Sequence, residues 1–197
     1  MQKILIALFS LIFFVNVASA EENVSVSENI SVGENENIDT DLICAFTSMA
    51  AYSDDTGLFA RDVLNSRGWE IIGLKTQNNR ANVKAYLISK KFVGDKKIKI
   101  LVIAGTEDLK DVEVDFRLGR VGLTQDEVGE DKIFVHRGFR DYTDTALSGG
   151  VKEYLLEEMK KNPAETLYIT GHSLGGAVAL MTAVRLCDAG ADMNKIK

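Results

Sequence analysis

The chain has 197 residues, 23 of them basic and 29 acidic, and a formal net charge of −6. Within the first 41 positions Lys3 is the only basic residue, and seven residues are acidic. The remaining 156 residues therefore include 22 basic and 22 acidic ones. A formally neutral remainder argues against a nucleic-acid-binding surface. The 156 residues after position 41 suffice for one hydrophobic core.

The first twenty residues have the pattern of a secretory signal peptide. Lys3 precedes an apolar stretch from Ile4 to Val17, and Ala18-Ser19-Ala20 is a typical cleavage site. A membrane-spanning helix needs about 20 apolar residues, so this stretch is too short, and no later segment qualifies. The sequence therefore predicts an exported protein, extracellular or periplasmic, without stable membrane insertion.

Residues 21–41 are predicted to be a disordered acidic linker. They carry seven acidic side chains and no basic ones, and they have too little apolar surface to form a core. The folded domain is accordingly predicted to cover residues 42–197.

The folded part alternates helical and strand patterns. Apolar residues at helical spacing predict helices over residues 41–51, 59–64, 139–160 and 177–187. Short apolar runs predict strands over residues 69–74, 83–91, 98–104, 133–136 and 167–170, with residues 117–131 as a polar loop and 195–197 as the opening of one more strand. Strands alternating with helices late in the chain favour a mostly parallel sheet with helices on both faces.

Residues 171–176 read Gly-His-Ser-Leu-Gly-Gly and lie between a strand pattern and a helix pattern. This is the context of a nucleophile elbow, in which a serine is raised on a sharp strand-to-helix turn. The turn is crowded at positions 171 and 175, and Gly171 and Gly175 fit there because glycine has no side chain. The motif predicts Ser173 as the nucleophile of an ester hydrolase, beside the N-terminus of a helix that favours negative charge.

A serine nucleophile also needs a histidine base and a carboxylate that orients it. His172 is bonded next to Ser173, so its side chain leaves the turn in another direction, and His136 precedes the serine although the base follows it in this architecture. Only 24 residues follow Ser173. We therefore expect the catalytic Asp and His to be missing from these 197 residues, and the chain alone to be inactive.

Cys44 and Cys187 are the only cysteines. A disulfide between them is compatible with export, but we favour the simpler interpretation of two buried free thiols on helices. Two histidines and two scattered cysteines form no ligand cluster, so neither a metal nor an organic cofactor is predicted.

Three blocks together resemble the class 3 (fungal-type) lipases of the α/β-hydrolase fold: an apolar strand ending in Ala104-Gly105-Thr106, the segment Val135 to Phe139, and Gly171 to Ala177. The resemblance runs from about Ala45 to the C-terminus and covers only the N-terminal part of such an enzyme, ending shortly after the elbow helix. It implies that Thr106 and the backbone N–H of Leu174 form the oxyanion hole. It also implies a structural role for His136.

Glu107 to Phe116 occupies the position of the amphipathic lid in that family. The segment alternates valines with charged residues and has no tryptophan, so it lacks a broad apolar helical face. We therefore expect short or medium acyl esters in solution to be hydrolysed with little dependence on an oil–water interface.

The main hypothesis is a secreted serine carboxylester hydrolase of lipase type that forms an acyl-enzyme on Ser173. The alternative is a non-catalytic remnant, or a protein that binds esters or lipids without hydrolysing them. An exported acyltransferase or thioesterase would use the same elbow. Coding sequence beyond codon 197 that supplies Asp and then His would favour catalysis.

Overall fold

A mixed β-sheet between two helical layers forms the centre of this computed structural model, which describes residues 40–77, 81–91, 97–105, 119–123 and 133–197. The helices are α1 Thr40–Met49, α2 Asp55–Ser66, α3 Arg137–Ala146, α4 Val151–Lys161 and α5 Leu174–Asp188, and a 3₁₀ turn covers Met193–Lys195. The strands are β1 Glu70–Gln77, β2 Asn82–Lys91, β3 Lys97–Ile103, β4 Arg120–Gly122, β5 Phe134–His136 and β6 Thr166–Gly171.

The sheet has the strand order β1-β2-β3-β6. The β1–β2 and β2–β3 pairs are antiparallel, and β3–β6 is parallel, with Ile98 opposite Thr166 and Ile103 opposite Gly171. The predicted α/β architecture is confirmed, but the expectation of a mostly parallel sheet is wrong for these strands. The links between β1, β2 and β3 are only a few residues long, and a parallel pair needs a crossover of a dozen or more.

Alternate side chains of the sheet enter two separate cores, one on each face. Ile98, Ile100 and Val102 of β3 pack against α1 and α2, whereas Leu101 and Ile103 pack in the core formed by α3, α4 and α5. The prediction of helices on both faces is confirmed. Because β3 is buried on both sides, its C-terminal end is a rigid support for the backbone that packs against it.

Two local predictions fail. A single helix was expected over residues 139–160, but α3 ends at Ala146 and α4 begins at Val151. Gly149 and Gly150 between them have φ of 62° and 87°, a left-handed conformation that stops a helix and that glycine adopts without steric cost. Residues 120–122, expected in a loop, form β4 and pair antiparallel with β5.

The last residues form a further parallel contact with the sheet. Ile196 pairs with Leu167, the Lys197 N–H donates to the Leu167 carbonyl at 3.0 Å, and the Ile169 N–H donates to the Lys197 carbonyl at 2.8 Å. The prediction that a strand opens here is confirmed.

At its N-terminal side the fold begins with α1, which includes Thr40 and Asp41, the last two residues of the predicted linker. The predicted signal peptide and residues 21–39 lie outside the described residues. None of the helices in the described part of the chain is long and apolar enough to cross a membrane.

Cys44 and Cys187 are free and half-buried. They lie on α1 and α5, which cover opposite faces of the sheet, so the disulfide alternative is wrong and the interpretation as free thiols on helices is confirmed. Burial, with a contribution from the negative charge of Asp41, raises the pKa of Cys44 to about 11. Its thiol is therefore protonated and unreactive at neutral pH.

A buried lysine joins the amino-terminal end of β3 to α4. Lys99 Nζ lies 2.8 Å from Glu158 Oε2 and 2.8 Å from Glu165 Oε2. Burial alone would lower the pKa of Lys99, but the hydrogen bonds with the two carboxylates outweigh it and raise that pKa. The hydrogen bond from Lys99 in turn lowers the pKa of Glu158 against the opposing effect of burial. This ion-pair network belongs to the opposite end of β3 from Gly105.

Candidate active site

Ser173 sits on a strained turn between β6 and α5. Its backbone has φ of 57° and ψ of −123°, and among the described residues it is the only non-glycine residue with a positive φ. Such a conformation costs of order 1–3 kcal/mol and persists only where the surrounding structure imposes it. The strand, turn and helix predicted around Ser173 are therefore present, together with a local strain that the sequence pattern implied.

Two glycines allow the turn to pack against β3. A Cβ atom at Gly171 would come within 2.5 Å of the Gly175 backbone and 2.6 Å of the Ile103 carbonyl oxygen. A Cβ atom at Gly175 would overlap that same carbonyl oxygen. Both obstacles are backbone atoms and cannot rotate away. The elbow thus rests directly on the C-terminal end of β3.

The N-terminus of α5 leaves one backbone donor beside Ser173. The Gly175 N–H donates to the His172 carbonyl at 3.0 Å, and the Gly176 N–H donates to the Ser173 carbonyl at 3.1 Å. The Leu174 N–H, by contrast, donates to no acceptor within the described part of the chain. An unused N–H at a helix N-terminus is suited to stabilise a negatively charged oxygen.

The C-terminal end of β3 meets the elbow at Gly105. The position that a Gly105 Cβ would occupy is 3.5 Å from Ser173 Cβ and 2.6 Å from the His172 carbonyl oxygen. Thr106 is the next residue, but it lies outside the described residues, as does the segment 107–116. What the structure places beside Ser173 is therefore the residue that precedes Thr106.

His172 is engaged by a tyrosine from the other end of the chain. Its Nδ1 lies 2.7 Å from the Tyr52 hydroxyl, and the two ring centroids are 5.9 Å apart. The Tyr52 hydroxyl is also 2.8 Å from the Gly105 Cβ position. Tyr52 could not be identified from the sequence, because nothing in a single sequence pairs residues 52 and 172.

The loop that carries Tyr52 is tied to α2. Arg61 Nη1 donates to the carbonyl oxygens of Ala50 and Tyr52 at 2.5 and 2.7 Å, and its guanidinium lies 5.4 Å from the centre of the Tyr86 ring. A side chain at Gly57 would overlap the Tyr52 carbonyl, so α2 packs directly on this loop. Tyr52 is thus held by backbone contacts as well as by its own hydroxyl.

His136 has a different place in the structure. It ends β5 and precedes α3, where its Nδ1 accepts a hydrogen bond from the Gly138 N–H at 3.2 Å. Its ring also lies 5.2 Å from that of Phe139. This nitrogen caps a helix N-terminus, which is a structural role.

Residues 100–196 match the family model for lipase (class 3). This match begins within β3 and continues through the elbow, so it includes Gly105 and Ser173. The resemblance to the class 3 lipases is thereby confirmed.

Solved lipase structures share the fold. A fungal lipase in an inhibitor complex has a TM-score of 0.57 and 22% identity, over 77% of this chain and 56% of that one. A triacylglycerol lipase described as having a serine protease triad gives 0.58 and 22%, over 80% and 58%. The Rhizomucor miehei triacylglyceride lipase gives 0.59 and 19%, over 82% and 61%. No curated protein matches the chain.

The likeness to these lipases establishes the α/β-hydrolase fold. The chain spans between 56% and 61% of the length of these three structures. Of the residues predicted for the site, Ser173 and Leu174 lie together at the elbow, and Thr106 lies outside the described residues.

Proposed function

We propose that the complete enzyme is an exported serine carboxylester hydrolase in which Ser173 is the nucleophile. The observation that carries this proposal is the positive φ of Ser173 on a turn where Gly171 and Gly175 pack against β3. Strained backbone conformations cluster at functional sites, and in a strand–helix turn of this kind the strain exposes the serine side chain.

In this mechanism Ser173 Oγ attacks the ester carbonyl carbon while its proton passes to a histidine. The carbonyl oxygen becomes an oxyanion, which the Leu174 N–H and Thr106 stabilise; each such donor contributes roughly 3–4 kcal/mol. The carbon–oxygen bond to the alcohol then breaks, and the alcohol leaves with the proton held by the histidine. Water attacks the acyl-enzyme, releasing the acid and restoring Ser173.

Neither described histidine suits the role of that base. His172 Nδ1 is bonded to Tyr52, and His136 Nδ1 caps α3. We therefore propose that a histidine and an orienting carboxylate from outside these 197 residues complete the site. By analogy with the related triacylglycerol lipase described as having a serine protease triad, the three groups would act as one unit.

The substrate we propose is a short or medium acyl ester in solution. Because the segment Glu107 to Phe116 is charged, the open and closed states of a lid built from it would differ little in their affinity for an oil–water interface. An interface that binds both states equally cannot shift the equilibrium between them.

The test uses a version of the enzyme that supplies the Asp and His, with p-nitrophenyl butyrate as substrate and a fluorophosphonate as label. Ser173→Ala should abolish labelling and lower kcat by about four to six orders of magnitude. Ser66→Ala, at the exposed end of α2, is the matched control and should keep both. Persistent labelling of Ser173→Ala would refute the nucleophile. A large rise in rate only on emulsified long-chain triglyceride would refute the proposed substrate.

A further inference from the structure

The contact between Tyr52 and His172 joins the two ends of the folded chain at the elbow. The residues are 120 positions apart, yet the Tyr52 hydroxyl and His172 Nδ1 are 2.7 Å apart. A distance of this length between a hydroxyl oxygen and a ring nitrogen is a good hydrogen bond. Because His172 immediately precedes Ser173, whatever holds its side chain also restrains the turn that carries the nucleophile.

Gly105 lies in a niche formed by these same groups. Around the position of its missing Cβ are the His172 carbonyl oxygen at 2.6 Å, the Tyr52 hydroxyl at 2.8 Å and Ser173 Cβ at 3.5 Å. The tyrosine hydroxyl and Ser173 Cβ thus both lie close to the same point beside the Gly105 backbone. Gly105 is the last described residue of the segment leading to Thr106.

We propose that Tyr52 is a positioning residue of the turn that carries Ser173. Its hydroxyl bonds to His172 and forms one wall of the Gly105 niche, so it holds the end of β3 in register with Ser173. The side chain of Ser173 and the backbone N–H of Leu174, which follow His172 directly, are thereby kept in a fixed position relative to the end of β3. This inference rests on the proposed function, because it assigns Tyr52 to the same reaction.

The loop that carries Tyr52 is anchored, so this tyrosine can position the elbow although it lies near the surface. Arg61 binds the carbonyl oxygens of Ala50 and Tyr52, and Gly57 lies directly against the Tyr52 backbone. The Tyr52 backbone is therefore held by α2, and the tyrosine side chain transmits that restraint to the elbow. A small displacement of the elbow is enough to matter, since a shift of about 1 Å at a reacting group costs on the order of 10²-fold in rate.

The contact itself is tested by nuclear magnetic resonance on the ¹⁵N-histidine-labelled chain. With only two histidines, both ring-nitrogen signals are assignable. Tyr52→Phe should move the Nδ1 resonance of His172 and leave that of His136 in place. Tyr154→Phe, on the exposed face of α4, is the matched control and should move neither. Unchanged His172 resonances in Tyr52→Phe would overturn the proposal.

The positioning role is tested by kinetics in the version that supplies the Asp and His. Tyr52→Phe should lower kcat about tenfold and change KM by less than about twofold, because the loss falls on the transition state. An unchanged kcat, or a raised KM with unchanged kcat, would overturn the proposal. If Tyr52→Phe does not fold by circular dichroism, the same bond is tested from its other end.

That second test replaces His172. His172→Asn keeps a polar group near the place of Nδ1 and should retain kcat within about threefold, whereas His172→Leu should lose about tenfold. Equal losses in both would overturn the positioning role. Activity surviving in Ser173→Ala would instead refute the proposed function, and this outcome is separate because it does not involve Tyr52 or His172.

Discussion

The backbone of Ser173 takes a conformation that residues with a side chain rarely adopt, and its neighbours make that conformation attainable. Gly171 and Gly175 have no Cβ to collide with the end of β3, so the turn approaches the Ile103 carbonyl closely. The N–H groups of Gly175 and Gly176 bond back to the His172 and Ser173 carbonyls and hold the first turn of α5. Close packing and hydrogen bonding here offset a strain of order 1–3 kcal/mol.

The glycine requirement gives a direct prediction. Gly175→Ala places a methyl group on the Ile103 carbonyl, a backbone atom that cannot move aside, so the free energy of unfolding should fall by about 3 kcal/mol or more. Gly73→Ala is the matched control, because its methyl would meet only the Tyr86 ring at 3.6 Å. Urea unfolding would measure both. Equal midpoints for the two variants would contradict this account of the elbow.

The local parts of the site could be predicted from the sequence, and the distant parts could not. Ser173, Leu174 and their flanking glycines lie in one short motif whose spacing encodes its geometry. Tyr52 and Gly105 reach the same place through α1, α2 and the sheet, and no periodicity in a single sequence pairs them with residue 172. Thr106 stays a prediction, since it lies outside the described residues.

The attachment of α4 to β3 depends on a charge in an otherwise apolar core. Lys99 is directed to the α4 side of the sheet, where Glu158 and Glu165 approach it from α4 and from the start of β6. An unpaired buried ammonium would be costly, but two carboxylates compensate it. The raised pKa of Lys99 and the lowered pKa of Glu158 both indicate that the charged pair is favoured in the folded state.

Replacement of Glu158 tests this attachment. Glu158→Gln should lower the free energy of unfolding at pH 7 by about 1–2 kcal/mol, because Lys99 then keeps only one carboxylate. Glu157→Gln is the matched control and should have little effect, since its 3.5 Å pair with Lys161 is exposed.

The difference in free energy of unfolding between wild type and Glu158→Gln should decrease as the pH is lowered. Because the folded pKa of Glu158 is lowered, its contribution is complete above the ordinary glutamate pKa and is lost as pH falls through the folded value. Wild type and Glu158→Gln should therefore converge in strongly acidic urea titrations. A gap that stays constant into that range would contradict an ionic contribution.

The order of helices and strands was largely predictable, and two kinds of feature were not. Residues 139–160 have an uninterrupted helical period, and the Gly149–Gly150 pair breaks the helix only because both residues take a left-handed conformation. The mixed direction of the sheet was also not predicted, since helices alternate with strands only late in the chain, where β3 and β6 are parallel, whereas β1, β2 and β3 are antiparallel. Their short connections are what decide in favour of antiparallel hairpins.

Taken as a whole, the 197 residues contain a folded sheet, two cores and an elbow, and they span 56% to 61% of the lipase structures they resemble. The proposed nucleophile Ser173 and the proposed Leu174 donor are within them, and we propose that the base and its carboxylate are not.

We expect the purified 197-residue chain to hydrolyse p-nitrophenyl butyrate only residually. Without a base Ser173 stays protonated, and oxyanion donors with substrate binding retain roughly 10³–10⁴-fold over the uncatalysed reaction. A steady-state assay with a heat-denatured control would measure this. Turnover at ordinary enzyme rates would mean that His136 acts as the base, and His136→Ala would then test this role.

The parallel pairing of β3 with β6 has a consequence for the entropy of catalysis. The two strands are hydrogen-bonded neighbours, and their C-terminal ends carry Gly105 and Ser173 side by side. The translational and rotational freedom of Ser173, the proposed nucleophile, relative to the end of β3 is therefore lost when the sheet forms. It is not lost again when an ester binds, so the free energy of substrate binding need not be spent on aligning these two groups.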